Sequence, residues 1–145
     1  MFLVCPALFS GLIIMLINSK VFYCIKNHLC NYDCESGGII GGKDGVVTEF
    51  FFDGIGDSNE YVPNIKKLNS VIQSWDDQSI DFLGVVHSHR CKPELSFADV
   101  EYARSIVTNN GISEIIMLVY VLELKNIYAY KVTKTNIYSL SIDCI

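Results

Sequence analysis

The chain has 145 residues, a length that is typical of one domain. Hydrophobic residues make up 50% of it and charged residues only 19%, which excludes a disordered chain, since such chains are poor in apolar residues. The formal net charge of −5 excludes a general nucleic-acid binder, because contact with phosphate backbones requires a basic face. We therefore expect a single domain over residues 1–145, with no nucleic-acid partner.

The first 17 residues carry no charge. A secretory signal would place a basic residue ahead of the apolar run, but the first basic residue, Lys20, follows it. A membrane span needs about 20 apolar residues, and this run is shorter and is interrupted by Pro6 and Gly11. We predict a buried strand at residues 12–17, assign no role to the apolar residues 1–11, and do not expect a membrane partner.

Apolar spacing and turn residues predict the later elements in chain order. The first half of the chain is predicted to contain a helix at 20–31 capped by Asn18 or Ser19, strands at 38–42 and 46–52, and a loop at 53–60. A second helix has Pro63 in its first turn and continues through Trp75. The remaining elements are a strand at 82–86, a helix from Ser96 to about residue 108, and strands at 115–122, 126–132 and 137–141. This order predicts an α+β domain with a mixed, largely antiparallel sheet and about three flanking helices, since neighbouring strands without a crossover helix usually form hairpins.

The six cysteines contain no C-x-x-C pair, which argues against a zinc ribbon or a thioredoxin-type redox motif. In the absence of a secretory signal we interpret them as reduced thiols that behave as small apolar side chains. The expected location is therefore the cytoplasm.

Two of the three histidines, His87 and His89, lie at the exit of the predicted strand 82–86. Side chains at positions i and i+2 of a strand point to the same face, so these two imidazoles can chelate one metal ion. The alternative interpretation is a polar strand end that binds nothing.

Ser96 and Asp99 have the spacing of a capping box, in which the serine caps the helix and the acidic side chain reaches back to it. The same geometry aims Asp99 from the first turn of the helix toward the preceding histidine pair. Asp99 can therefore be the third ligand of a His₂Asp site with an open fourth position, as in catalytic zinc sites. Such a site needs a proton acceptor, and Glu35, just before the strand 38–42, is the candidate.

Together these residues resemble the signature of the JAMM (MPN-plus) metalloproteases, which is Glu, then His-Ser/Thr-His, then Ser-x-x-Asp. The segment ESGGIIGG at 35–42, and PNIKKLNSVIQSW followed by DFLGVVHSH, are similar to the prokaryotic JAB-domain branch, so the resemblance extends over about residues 12–132. It implies a JAB/MPN-like domain with cytidine-deaminase-like layering. The implied roles are zinc ligation by His87, His89 and Asp99, general base and then acid catalysis by Glu35, and oxyanion stabilisation by Ser96.

Two features depart from the family pattern. Six residues separate His89 from Ser96, one fewer than in the family, and Arg90 stands where the family has a proline. The shorter loop bears on the oxyanion role of Ser96 more than on ligation by the histidines. Cys91, in the same loop, is interpreted as a loop thiol.

The resemblance implies a zinc-dependent peptidase or isopeptidase. Its substrate would be a peptide or isopeptide bond after the C-terminal tail of a ubiquitin-like or sulfur-carrier protein, and an E1-like activating enzyme would be a further partner. Two alternatives stay open. The chain could be a non-catalytic MPN-type scaffold for protein interactions, or residues 1–17 could tether the same peptidase to a membrane.

Overall fold

A computed structural model of the protein describes residues 14–55 and 61–145. These residues form seven strands and three helices, with the bounds that follow. In chain order they are β1 (Ile14–Ile17), α1 (Ser19–Leu29), β2 (Ser36–Lys43), β3 (Val46–Ile55), α2 (Ile65–Asp77), β4 (Asp81–His89), α3 (Phe97–Asn110), β5 (Glu114–Val121), β6 (Asn126–Thr133) and β7 (Ile137–Cys144).

The strands form a closed barrel in the order β1-β3-β2-β4-β5-β6-β7. β1 closes the barrel because it pairs in parallel with β3 and with β7. The predicted JAB/MPN-like mixed sheet with flanking helices in cytidine-deaminase-like layering is therefore wrong. Closure depends on pairing between β1 and residues 141–144, near the other end of the chain, and apolar spacing along a sequence carries no information about such distant pairings.

Helix α1 packs against one face of the barrel wall. Ile25 and Leu29 lie one helical turn apart and are fully buried in a cluster with Val86 of β4 and Leu118 of β5. Burying an aliphatic side chain of this size contributes about 1.5–3 kcal/mol. The side chain of Asn18 caps the helix by accepting a hydrogen bond from the Lys20 backbone N–H.

Helices α2 and α3 pack on the opposite face of the wall. Val86 belongs to the cluster around α1, whereas its neighbour Val85 packs against Val107 of α3. Because side chains alternate along a strand, His87 and His89 share the face of Val85. The alternation of β4 therefore directs both histidines toward α3.

The predicted strands and helices on described residues are confirmed, although most of their ends differ by one to three residues. β3 continues to Ile55, so Asp53 lies in a strand rather than in the predicted loop. β4 continues through His89, and Pro63 precedes Asn64, the N-cap of α2, instead of entering the first turn. The unassigned residues 1–11, the start of the predicted strand 12–17, and residues 56–60 of the predicted loop lie outside the described residues.

Among residues 14–55 and 61–145, no helix has both the length and the apolar character needed to cross a membrane.

Candidate metal centre

The end of β4 and the start of α3 bring together three side chains that could bind a metal ion. His87 and His89 project from β4, and Asp99 lies in the first turn of α3, three residues after the N-cap Ser96. One ligand atom from each of these three side chains lies within 4.8 Å of the others. The group could therefore hold a metal ion.

The separations of the donor atoms fit a single ion. The Nε2 atoms of His87 and His89 are 2.9 Å apart, His87 Nε2 lies 3.2 Å from Asp99 Oδ1, and His89 Nε2 lies 3.1 Å from Asp99 Oδ2. Ligands at about 2.0–2.2 Å from a tetrahedral zinc ion would be about 3.3–3.6 Å from each other, slightly farther apart than these atoms.

Contacts behind the histidines fix their orientation. The Nδ1–H of His89 donates to the Lys92 carbonyl over 2.9 Å, which turns its Nε2 toward His87 and Asp99. Ser88, between the two histidines, faces the other side of the strand and its Oγ accepts the Ser36 backbone N–H at 2.9 Å. Both serines are fully buried, so this bond ties β2 to the strand that carries the histidines.

Asp99 serves the helix and the candidate centre with the same carboxylate. Its Oδ2 accepts the Ser96 backbone N–H at 2.9 Å and also faces His89. Burial disfavours the charged form of Asp99, but its hydrogen bonds with His87 and His89 outweigh burial and hold the pKa of the carboxyl far below its ordinary value. The Asp99 carboxyl is therefore ionised at neutral pH. The six-residue loop between His89 and Ser96 places it within reach of both histidines.

Glu35 lies next to the same centre. It immediately precedes β2, whose Gly37 pairs directly with His87, and it lines a cavity of about 210 Å³ together with His87 and Asp99. Burial raises the pKa of the Glu35 carboxyl above its ordinary value, although the nearby histidines oppose this shift. A carboxyl with a raised pKa exchanges protons closer to neutral pH than an exposed glutamate does.

Ser96 forms the predicted capping box. Its Oγ accepts the Asp99 backbone N–H at 3.1 Å, reciprocating the bond from its own N–H to Asp99. Within the described parts of the chain, the Ser96 hydroxyl proton has no acceptor. The neighbouring Cys91 is turned to Glu123, since its Sγ donates to Oε2 of that residue over 3.2 Å.

Sequence reasoning missed several residues of the cavity. Tyr61, Tyr102 and Met117 line it alongside Glu35, and Asp53 holds Tyr61 through a hydrogen bond. Asp53 and the following glycine have the composition of a turn, which is why a loop is predicted there. Nothing in the spacing of these residues indicates that they meet, because they come from four different parts of the chain.

Comparisons with known proteins find similarity of fold. Neither a protein family nor a curated protein matches the sequence. Among solved structures, a protein from Desulfitobacterium hafniense is 17% identical with a TM-score of 0.70, covering 90% of this chain and 92% of its own. A protein from Salinibacter ruber is also 17% identical, with a TM-score of 0.61 and the same coverage.

A third solved structure is that of a JAB1/MPN domain protein from Archaeoglobus fulgidus. It is 14% identical with a TM-score of 0.53, and the match covers 88% of this chain and 98% of that protein. At this identity the likeness is one of fold. The comparison therefore shows a distant likeness of fold to a JAB1/MPN domain protein and nothing finer.

Proposed function

We propose that this chain is a zinc-dependent peptidase or isopeptidase of the JAMM type. The observation that carries the proposal is the convergence of His87, His89 and Asp99 beside a cavity that Glu35 also lines. Two imidazoles and one carboxylate with room for a further ligand are the donor set of a catalytic zinc site. The fold likeness to a JAB1/MPN domain protein supports the same choice.

The proposed ligands are the Nε2 atoms of His87 and His89 and a carboxylate oxygen of Asp99. When bound, zinc would supply Lewis acidity, which lowers the pKa of a coordinated water to about 7 and polarises a carbonyl group. The hydrogen bond from His89 Nδ1–H to the Lys92 carbonyl orients the ring with its Nε2 toward the proposed metal position. The capping box keeps Asp99 in place, because its carboxylate is held by the start of α3.

Glu35 would move the proton during hydrolysis. Its carboxylate accepts a proton from the attacking water and then donates that proton to the nitrogen of the leaving amine. Its half-buried position and raised pKa suit both steps, because a group that exchanges protons near neutral pH can act as base and as acid. Ser96 would donate its free hydroxyl proton to the carbonyl oxygen as negative charge develops there.

The proposed substrate is the C-terminal tail of a ubiquitin-like or sulfur-carrier protein, joined through a peptide or isopeptide bond. An E1-like activating enzyme is the proposed further partner. Both proposals rest on the motif formed by Glu35, the histidine pair, Ser96 and Asp99.

The test is hydrolysis of a fluorogenic peptide amide that ends in Gly-Gly, by the zinc-loaded full chain and by two variants. Glu35→Gln is expected to keep its zinc and to lower kcat by about 10²–10⁴-fold, the usual contribution of general acid–base catalysis. Glu101→Gln, on the exposed side of α3, is the matched control and should behave like the wild type. An inactive wild-type protein, or an active Glu35→Gln variant, would contradict the proposal.

A further inference from the structure

The loop between His89 and Ser96 is attached to β6 by one hydrogen bond. Tyr130 of β6 donates its hydroxyl to the Pro93 carbonyl over 2.6 Å. The half-buried Tyr130 packs against the apolar cluster that contains Val107 of α3, so the barrel wall fixes the position of the hydroxyl. One carbonyl of the loop is therefore held by a strand other than the one that carries the histidines.

The carbonyl that Tyr130 holds is next in the chain to the carbonyl that His89 uses. The Nδ1–H of His89 donates to the Lys92 carbonyl over 2.9 Å. The Lys92 and Pro93 carbonyls are related by the φ and ψ angles of Pro93, and the proline ring fixes φ at about −65°. Only one soft dihedral remains between the two carbonyls. A restraint on the Pro93 carbonyl therefore also restrains the Lys92 carbonyl.

His89 depends on this restraint more than His87 does. His87 is paired in the sheet on both sides, with Gly37 of β2 and with Val119 of β5. His89 is the last residue of β4, and among the described residues its partner in the sheet is Val121 of β5. The backbone alone does not set the rotation of an imidazole ring, so the bond from Nδ1 to the Lys92 carbonyl supplies its orientation.

We infer that Tyr130 is a positioning residue for His89. Its hydroxyl holds the Pro93 carbonyl, the proline ring transmits this restraint to the Lys92 carbonyl, and the Lys92 carbonyl orients the imidazole with Nε2 toward Asp99. Tyr130 acts through the loop rather than on the ring. The orientation belongs to the chain without metal, whereas its effect on zinc binding rests on the proposed function.

The orientation is tested by NMR of the metal-free full chain, through hydrogen exchange of the His89 Nδ1 proton at a pH where the imidazole is neutral. Tyr130→Phe removes only the hydroxyl and should speed this exchange about 2–10-fold, the factor for weakening one hydrogen bond. Tyr128→Phe is the matched control, because Tyr128 lies two residues earlier on the same face of β6. Within the described parts of the chain its hydroxyl forms no hydrogen bond, so the exchange should stay at the wild-type rate.

The effect on the metal is tested by zinc titration in competition with a chromophoric chelator. Tyr130→Phe should raise the Kd for zinc about 10-fold, the lower end of the loss that follows when a partner behind a metal ligand is removed. Pro93→Ala keeps the hydroxyl bond but frees φ, so it should also raise the Kd. Because both changes loosen the same connection, the double variant should bind zinc no more weakly than the weaker single variant. Tyr128→Phe should bind zinc like the wild type.

The outcomes separate this inference from the proposed function. Wild-type exchange of the His89 proton in folded Tyr130→Phe overturns the inference, whether or not the chain binds zinc; Pro93→Ala decides the matter in the same way if Tyr130→Phe does not fold. Faster exchange with a wild-type Kd overturns the effect on zinc binding, and additive losses in the double variant overturn the route through Pro93, while the proposed function stands in both cases. If the wild-type chain binds no zinc, the proposed function fails, and a His89 proton that responds to Tyr130→Phe but not to Tyr128→Phe supports the positioning role.

Discussion

Ser96 is both the N-cap of α3 and the proposed oxyanion donor, and substitutions at this position separate the two contributions. Its Oγ accepts the Asp99 N–H at 3.1 Å, so the cap uses the oxygen lone pair and leaves the hydroxyl proton to a substrate. Replacing a capping serine by alanine costs about 1 kcal/mol of folding free energy, and replacing it by glycine costs only a few tenths. Losing an oxyanion donor lowers kcat by about 10²–10³-fold, or about 2.7–4 kcal/mol.

We therefore expect Ser96→Ala to lower both the free energy of unfolding and kcat. Ser96→Gly should lower kcat to the same extent while nearly preserving stability, and Ser96→Thr should preserve both. Urea unfolding of the zinc-loaded protein measures the first quantity, and hydrolysis of the Gly-Gly amide measures the second. If Ser96→Gly has wild-type kcat, the hydroxyl does not stabilise the oxyanion. If the alanine and glycine variants are equally stable, the capping argument fails.

Two further predictions concern stability. Zinc at about 100-fold above its dissociation constant should stabilise the folded chain by about 2.7 kcal/mol, so the melting temperature should fall when EDTA is added. If the melting temperature of an Asp99→Asn variant falls equally on addition of EDTA, zinc does not bind at this site. Gly84→Ala should destabilise the protein by about 1–3 kcal/mol in urea unfolding, because its β-carbon would collide with the Ile116 carbonyl of β5. Gly45→Asn is its control, since that turn position has open space and a φ that asparagine tolerates; equal losses in both variants would refute the packing argument.

Local structure could be predicted where each signal lies within a short segment. The apolar run before His87 indicates a strand, and its period places His87 and His89 on one face. The Ser-x-x-Asp spacing indicates the start of a helix, and the structure shows the complete capping box there. The candidate metal centre joins these two segments, which are only six residues apart, so the sequence order already limits how far Asp99 can lie from the histidines.

The closed barrel and the surroundings of Glu35 could not be predicted in this way. The barrel depends on four residues of β1 that pair with β3 and with the end of β7, and their apolar character fits a strand in an open sheet equally well. The bulge at Asp53 depends on the register between β2 and β3. The alternation of inward and outward side chains along a strand does not reveal this register, because the inserted residue interrupts the alternation. The Tyr61 hydroxyl donates to the Asp53 carboxylate at that bulge.

We propose that His87, His89 and Asp99 hold one zinc ion. The most direct measurement is zinc content and X-ray absorption of the purified full chain after dialysis against zinc, together with His87→Ala and Asp99→Asn. We expect one zinc per chain, bound by nitrogen and oxygen at about 2.0–2.2 Å and lost from both variants. A chain without stoichiometric zinc, a sulfur ligand from Cys91, or variants that keep their zinc would contradict it.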